Sequence, residues 1–189
     1  MIRPTPAATV VLTVGHSNRD WRTFLGLLTG HEVGLLMDVR TAPGSRRHPH
    51  FNLAAMEPAL AAAGIGYEHA PDLGGFRRPR PDSPHAGWEN DAFRGYADYM
   101  QTPLFAAALQ HLMQAAATRR TVIMCSEALP WRCHRRLISD ALLVRGLTVE
   151  HISSAAQRLP HHLTAFCRPR GDELFYPPAE PTLFDGPPP

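Results

Sequence analysis

Three short stretches hold most of the residues in this sequence that can do chemistry. They are Gly15-His16-Ser17-Asn18-Arg19, Asp38-Val39-Arg40 running on to Ser45-Arg46-Arg47-His48-Pro49-His50-Phe51-Asn52, and Cys125-Ser126-Glu127 running through Pro130-Trp131-Arg132-Cys133-His134-Arg135. Asp38 and Glu127 each follow an apolar run, and a carboxylate at the rim of a polar crevice can activate water or support an oxocarbenium-like sugar as an N-glycosidic bond breaks. Histidine is the residue type whose charge changes most readily near neutral pH, so His16 and His134 are candidate proton carriers or phosphate donors. Cys133 stands at the predicted start of a helix between Arg132 and Arg135, where helix dipole and positive charge favour a thiolate. Cys125 reads as a small core residue at a strand end.

The positive charge is entirely arginine. All 19 basic residues are Arg, and no Lys is present, which excludes a Lys Schiff base and a phosphate-loop Lys. The net charge is only +2, but Arg46-Arg47, Arg77-Arg78 with Arg80, and Arg132 with Arg135-Arg136 cluster in or beside predicted loops. Aromatic residues interleave with them: Phe51, Phe76, Trp88 and Trp131. Arg fixes phosphates while aromatic faces stack bases, each stack being worth roughly 1–3 kcal/mol. An enzyme that works on one base must also draw it into a pocket. Trp88 and Trp131, in otherwise polar loops, are the expected base-gripping residues. Ser17, Arg19, Arg40, Arg46, Arg47, Phe51, Cys133, His134 and Arg135 complete the expected substrate-binding set.

Other chemistries find less support. His48 and His50 with Cys133-His134 could assemble a metal site, but no C-x-x-C or H-E-x-x-H spacing occurs, so no metal is expected. No G-x-G-x-x-G occurs, so no dinucleotide or other cofactor is expected. Three Cys, an odd number, fit a reducing compartment better than a disulfide framework. The apolar runs are too short to span a bilayer and no basic-then-apolar leader opens the chain. The expectation is a soluble cytoplasmic protein without membrane contact.

These residues need elements to position them. Ala8–Val14, Val33–Val39, Tyr67–His69, Thr121–Met124 and Leu147–Ile152 read as five strands. Trp21–Thr29, Leu53–Ala63, Asn90–Met100, Thr102–Thr118 and Arg132–Val144 read as helices, with Asn18 or Asp20, Asn52 and Thr102 as caps. Alternation without tight hairpin signals predicts one α/β domain, a mostly parallel five-stranded sheet with helices on both faces in the Rossmann-like manner. Residues 1–158 form that domain. Residues 159–189 contain eight Pro and read as an extended tail. In open sheets of this kind ligands bind at the carboxyl ends of strands. With strand order 3-2-1-4-5, the loops after strands one, two and four, which carry the three stretches above, converge there.

The same stretches carry a resemblance. Thr13–Arg19, as T-x-G-H-S-x-R; Asp38–Asn52, as D-V-R-x-x-P-x-S-R-x-x-x-x-F-N; Leu73-Gly74-Gly75; and Cys125–Arg135, as C-x-E-x-x-P-x-x-C-H-R, resemble the bacterial domain-of-unknown-function family numbered 488 over about residues 9 to 153. The resemblance implies a compact α/β domain and leaves the activity to be read from the residues. Asp38-Val39-Arg40 after a strand is also similar to rhodanese-like sulfurtransferases and related phosphatases, although six residues without a Gly separate Cys125 from Arg132.

The reading these residues favour is a monofunctional DNA-repair glycosylase that removes a damaged, alkylated base. Asp38 or Glu127 and His16 are then catalytic, and the partner is nucleic acid, DNA before RNA. A Cys-dependent sulfurtransferase or phosphatase and a non-catalytic nucleic-acid-binding module are the alternatives.

Overall fold

The computed structural model describes residues 9–178. A parallel sheet is formed by strands β1 (Val10–Gly15), β2 (Leu35–Asp38), β3 (Gly66–His69), β4 (Thr121–Cys125) and β5 (Thr148–Ile152), of which the central β1, β2 and β4 are apolar and buried while edge strand β3 is mixed. A sixth strand, β6 (Arg158–Pro160), runs antiparallel along β5. Helices α1 (Trp21–Gly30), α2 (Leu53–Ala62), α3 (Asp91–Tyr99), α4 (Pro103–Thr118) and α5 (Arg135–Val144) connect them. The fold is an α/β, Rossmann-like domain.

Local chemistry starts several helices where expected. Asp20 accepts the Thr23 amide to open α1, and Thr102 accepts the Phe105 amide to open α4 with Pro103 in its first turn. Asn52 precedes α2 without a side-chain cap, because its carboxamide accepts the Ser45 amide and folds the preceding loop. The last helix begins later than predicted. Residues 130–132 form a single 3-10 turn and α5 starts at Arg135, leaving Cys133 just before the first helical turn.

The strand order is β3-β2-β4-β1-β5-β6, which corrects the expected 3-2-1-4-5. Both edges of β1 are taken, one by β4 and the other by β5, so the crossover through α1 must pass over β4 to reach β2. Helices α1 and α2 cover one sheet face, where Phe24, Leu28, Met56 and Leu60 pack on Leu12, Leu36 and Val122. Helices α3, α4 and α5 cover the other, where Tyr96, Leu109, Leu112 and Leu137 pack on Val11, Met37 and Ile123. Chain leaving β4 therefore goes to the opposite face from chain leaving β1 or β2. A crevice opens at the carboxyl end of β4 on both sides.

The segment expected to be a tail is part of the domain through residue 178. Beyond β6, a hairpin of β7 (Arg168–Arg170) and β8 (Glu173–Phe175) leads to Tyr176, and Cys167, Leu174 and Tyr176 are buried in the core under α3 and α5. Strands of three residues carry no readable period, so Pro content dominated the prediction. Residues 179–189 lie outside those described. No helix among the described residues is long and apolar enough to cross a membrane.

Candidate functional site

Adjacent strands β4 and β1 deliver the site. The ladder continues beyond β1, with the His16 amide bonding Cys125 O at 3.0 Å and the Ser17 amide bonding Ser126 O at 2.9 Å. Ser17 reaches this geometry at φ +53. The chain leaving β4 crosses directly over Gly15, where an added Cβ would lie only 1.9 Å from Glu127 O. Gly15 is therefore what lets Glu127 stand above the strand ends.

Asp38, at the end of β2, is fully buried and wholly employed. Its Oδ1 accepts from Arg40 Nε at 2.9 Å and the Arg40 amide at 3.1 Å, and its Oδ2 accepts from the Arg40 guanidinium and from Tyr67 Oη at 2.9 Å. Arg40 also donates to Phe51 O at 2.8 Å, and its Nη1 sits 3.3 Å from His16 Nε2. His16 Nδ1 contacts Ser17 O at 2.8 Å, so that nitrogen carries the ring proton and Nε2 accepts. The imidazole stacks on Phe51 with centroids 4.1 Å apart. Burial holds His16 neutral, lowering its pKa to about 4, although its bond to Ser17 O opposes this.

The second group is sulfur and imidazole. Cys125 Sγ, Cys133 Sγ and a ring nitrogen of His134 all lie within 4.8 Å of one another. His134 Nδ1 faces Cys133 Sγ at 3.6 Å, and its Nε2 lies 3.2 Å from Val39 O. A carbonyl only accepts, so the neutral ring keeps its proton on Nε2 and turns the Nδ1 lone pair toward Cys133. Arg135 Nε donates to the same sulfur at 3.4 Å, while its Nη groups bond Thr13 Oγ1 and Glu127 O. The hydrogen bond from Cys125 holds the Cys133 thiol below its ordinary pKa against the effect of burial, and the Arg135 charge adds to it. The same bond, with burial, raises Cys125.

A cavity of about 880 Å³ joins these parts. Its wall includes His16, Ser17, Arg40, Arg47, His48, Phe76, Cys125, Ser126, Glu127, Arg132, Cys133 and His134. The family described as "Domain of unknown function DUF488" matches residues 20–142, a span that takes in Asp38–Arg40, Leu73–Gly75 and Cys125–Arg135. The chain belongs to this family. No curated protein and no solved structure matches it.

The DUF488 domain thus brings together His16, Ser17, Arg40, Arg47, Glu127, Cys133 and His134 of the predicted set and places the others elsewhere. Asp38 is not in the cavity wall; it braces Arg40 instead of facing a ligand. Arg135 is an internal strut, and Arg19 Nη1 is bonded to Gly15 O at 2.6 Å. Phe51 is buried behind His16, and Arg46 points outside the wall. Neither tryptophan lines the cavity. Trp88, 6% exposed, packs among Phe93, Phe166 and Tyr176, and Trp131, 54% exposed, lies outside the wall.

Sequence reasoning missed Cys125 as a site group, because a free Cys at a strand end ordinarily reads as core. It counts Phe76 among the loop aromatics but not among the binding residues, yet this ring lines the mouth 94% exposed at φ +60. An exposed aromatic held in the left-handed region is a signal that only coordinates provide. Gly75 gains a reason as well: a Cβ there would lie 3.0 Å from His134 Nδ1.

Proposed function

We propose that this DUF488 domain is a thiol-dependent sulfur-transfer enzyme for a small anionic donor, with Cys133 as nucleophile and His134 as its base. The observation that carries the reading is the contact of Cys133 Sγ with His134 Nδ1 at 3.6 Å and Arg135 Nε at 3.4 Å in the wall of an arginine-bearing cavity. His134 takes the thiol proton on Nδ1 while Val39 O holds Nε2. The Cys133 thiolate attacks the outer sulfur of a sulfane donor. The donor's S–S bond breaks, its anionic remainder leaves with the bonding pair, and Cys133 becomes a persulfide. An acceptor thiolate then takes the outer sulfur and regenerates Cys133. Arg47 and Arg132, exposed in the wall and without an ion pair among the described residues, suit an anionic donor.

Phosphoryl transfer is less well supported. A phosphatase cradle needs free backbone N–H groups around the oxygens, and several in this loop are spent. Leu129 N bonds Glu127 Oε1, Arg132 N bonds Leu129 O and Cys133 N bonds Pro130 O. Base excision remains a second reading, favoured by Glu127, the only carboxylate among the wall residues; there it activates water, and nucleic acid is the partner.

The test is incubation of reduced protein with thiosulfate and with a glutathione persulfide, followed by mass spectrometry of the Cys133 peptide. One added sulfur on Cys133, absent in Cys133→Ser and slowed in His134→Gln, is expected. An unmodified Cys133, together with Glu127-dependent release of an alkylated base from duplex DNA, would replace this reading by the second.

A further inference from the structure

Cys125 Sγ, Cys133 Sγ and His134 Nδ1 form a second kind of site as well as a nucleophile. Zinc binds thiolate at about 2.3 Å and imidazole at about 2.0–2.1 Å with tetrahedral angles, which sets its sulfur and nitrogen ligands about 3.6 Å apart. Cys133 Sγ and His134 Nδ1 are 3.6 Å apart, and Cys125 Sγ completes a triad with every separation within 4.8 Å. The outer partner that metal-bound histidines ordinarily have is also in place: His134 Nε2 faces Val39 O at 3.2 Å, leaving the Nδ1 lone pair for a metal. Both sulfurs are buried, which excludes bulk water from competing for them, yet all three residues belong to the cavity wall.

We propose that Cys125, Cys133 and His134 bind one thiophilic divalent metal ion, Zn²⁺ in the first instance, with its fourth position open to the cavity. The set is two thiolates and one imidazole, a softness that selects Zn²⁺ over Mg²⁺ or Ca²⁺. Spacing in the chain conceals it, because Cys125 arrives from the end of β4 and Cys133-His134 from the approach to α5. Metal and substrate compete for the same Cys133 sulfur, so bound zinc holds the enzyme off; this consequence rests on the sulfur-transfer reading, whereas the site itself does not.

The experiment is anaerobic titration of the reduced full chain with Co²⁺, followed by displacement with Zn²⁺ against a colorimetric chelator. One equivalent of Co²⁺ should give a thiolate-to-cobalt charge-transfer band and tetrahedral d–d bands, both erased by Zn²⁺. Cys125→Ser and Cys133→Ser, which each remove a direct ligand, should weaken Zn²⁺ binding by more than the roughly 10–100-fold that loss of an outer-shell partner costs, whereas Cys167→Ser, a substitution at the third, separate cysteine, should leave it unchanged. Zn²⁺ should also protect Cys133 of the unaltered chain from iodoacetamide, a readout that needs no variant to fold. Absence of a thiolate–cobalt band, or a band and protection that survive Cys125→Ser, would overturn the site. A metal-binding chain whose metal-free Cys133 accepts no sulfur would retain the site and remove the sulfur-transfer reading; a sulfur-accepting Cys133 with no cobalt band would do the reverse.

Discussion

At the scale of single residues, the proposed role of His134 as base to Cys133 turns on the position of one ring. Gly75 lets His134 sit where it does, so Gly75→Ala should push the imidazole away from the sulfur. Alkylation of Cys133 at neutral pH should slow by about tenfold, roughly 1.4 kcal/mol in the barrier, with the far-UV spectrum unchanged. An unaltered rate would mean that His134 does not act on the thiol. Arg132 and Arg47 line the wall without an ion pair among the described residues, and a charge-assisted bond to substrate is worth about 1.5–3 kcal/mol. Arg132→Ala should therefore raise KM for an anionic donor about tenfold or more while changing kcat less, as steady-state kinetics with thiosulfate would report. Asp38 illustrates the limit of reading residues by type. Its carboxylate looked catalytic in the chain, but it faces a guanidinium two residues on, and the pair serves to hold His16 and the Asp38–Phe51 loop in place.

Among the elements, the C-terminal strands matter more than their length suggests. Buried Asp140 on α5 accepts from His161 Nε2 at 2.9 Å, the Thr164 amide at 3.0 Å and Tyr176 Oη at 3.0 Å. From His161 the contacts pass to His151, then Thr13, and from Thr13 to Arg135, the residue that touches Cys133. Asp140→Ala leaves three buried donors without an acceptor, at about 1–3 kcal/mol for each unsatisfied group. A loss of about 3 kcal/mol or more in urea unfolding, with faster amide exchange over residues 158–176, is the expected outcome. A change below 0.5 kcal/mol would show that the segment is held by its apolar contacts alone. At the other end of the sheet, Gly15→Ala places a methyl group against the Glu127 backbone. Backbone cannot swing aside as a side chain can, so the loop after β4 must shift and stability should fall by several kcal/mol.

For the whole molecule, buried histidines set the acid limit. His16 and His151 are both lowered to about 4, chiefly by burial, with neighbouring positive groups adding to the effect. Between pH 6.5 and 4 the unfolded chain takes up protons that the folded chain refuses, so stability falls as the pH drops through that window and these two groups cost nothing further below it. At about 1.4 kcal/mol per pKa unit, buried His16 contributes on the order of 3 kcal/mol and half-buried His151 less. A melting temperature that stays level from pH 7 to pH 4.5 would contradict this. His16→Asn should flatten part of the slope.

The sequence by itself determined the five parallel strands and five helices of the main sheet, the parallel α/β class, the cap at Thr102, and the three loops that carry chemistry. Each of these is written locally, in periodicity, capping residues and turn residues, and the loops had to gather at the carboxyl ends of parallel strands. Only the tertiary structure decided that β4 lies between β2 and β1, because a crossover that skips a strand leaves no mark on either strand it joins. Only it showed that Asp38 turns inward to Arg40, that Trp88 is a core aromatic, and that Cys125 meets Cys133 and His134. Those facts concern which way a side chain points and what reaches it from distant chain. Residue type and spacing hold no record of direction; packing against the rest of the fold supplies it.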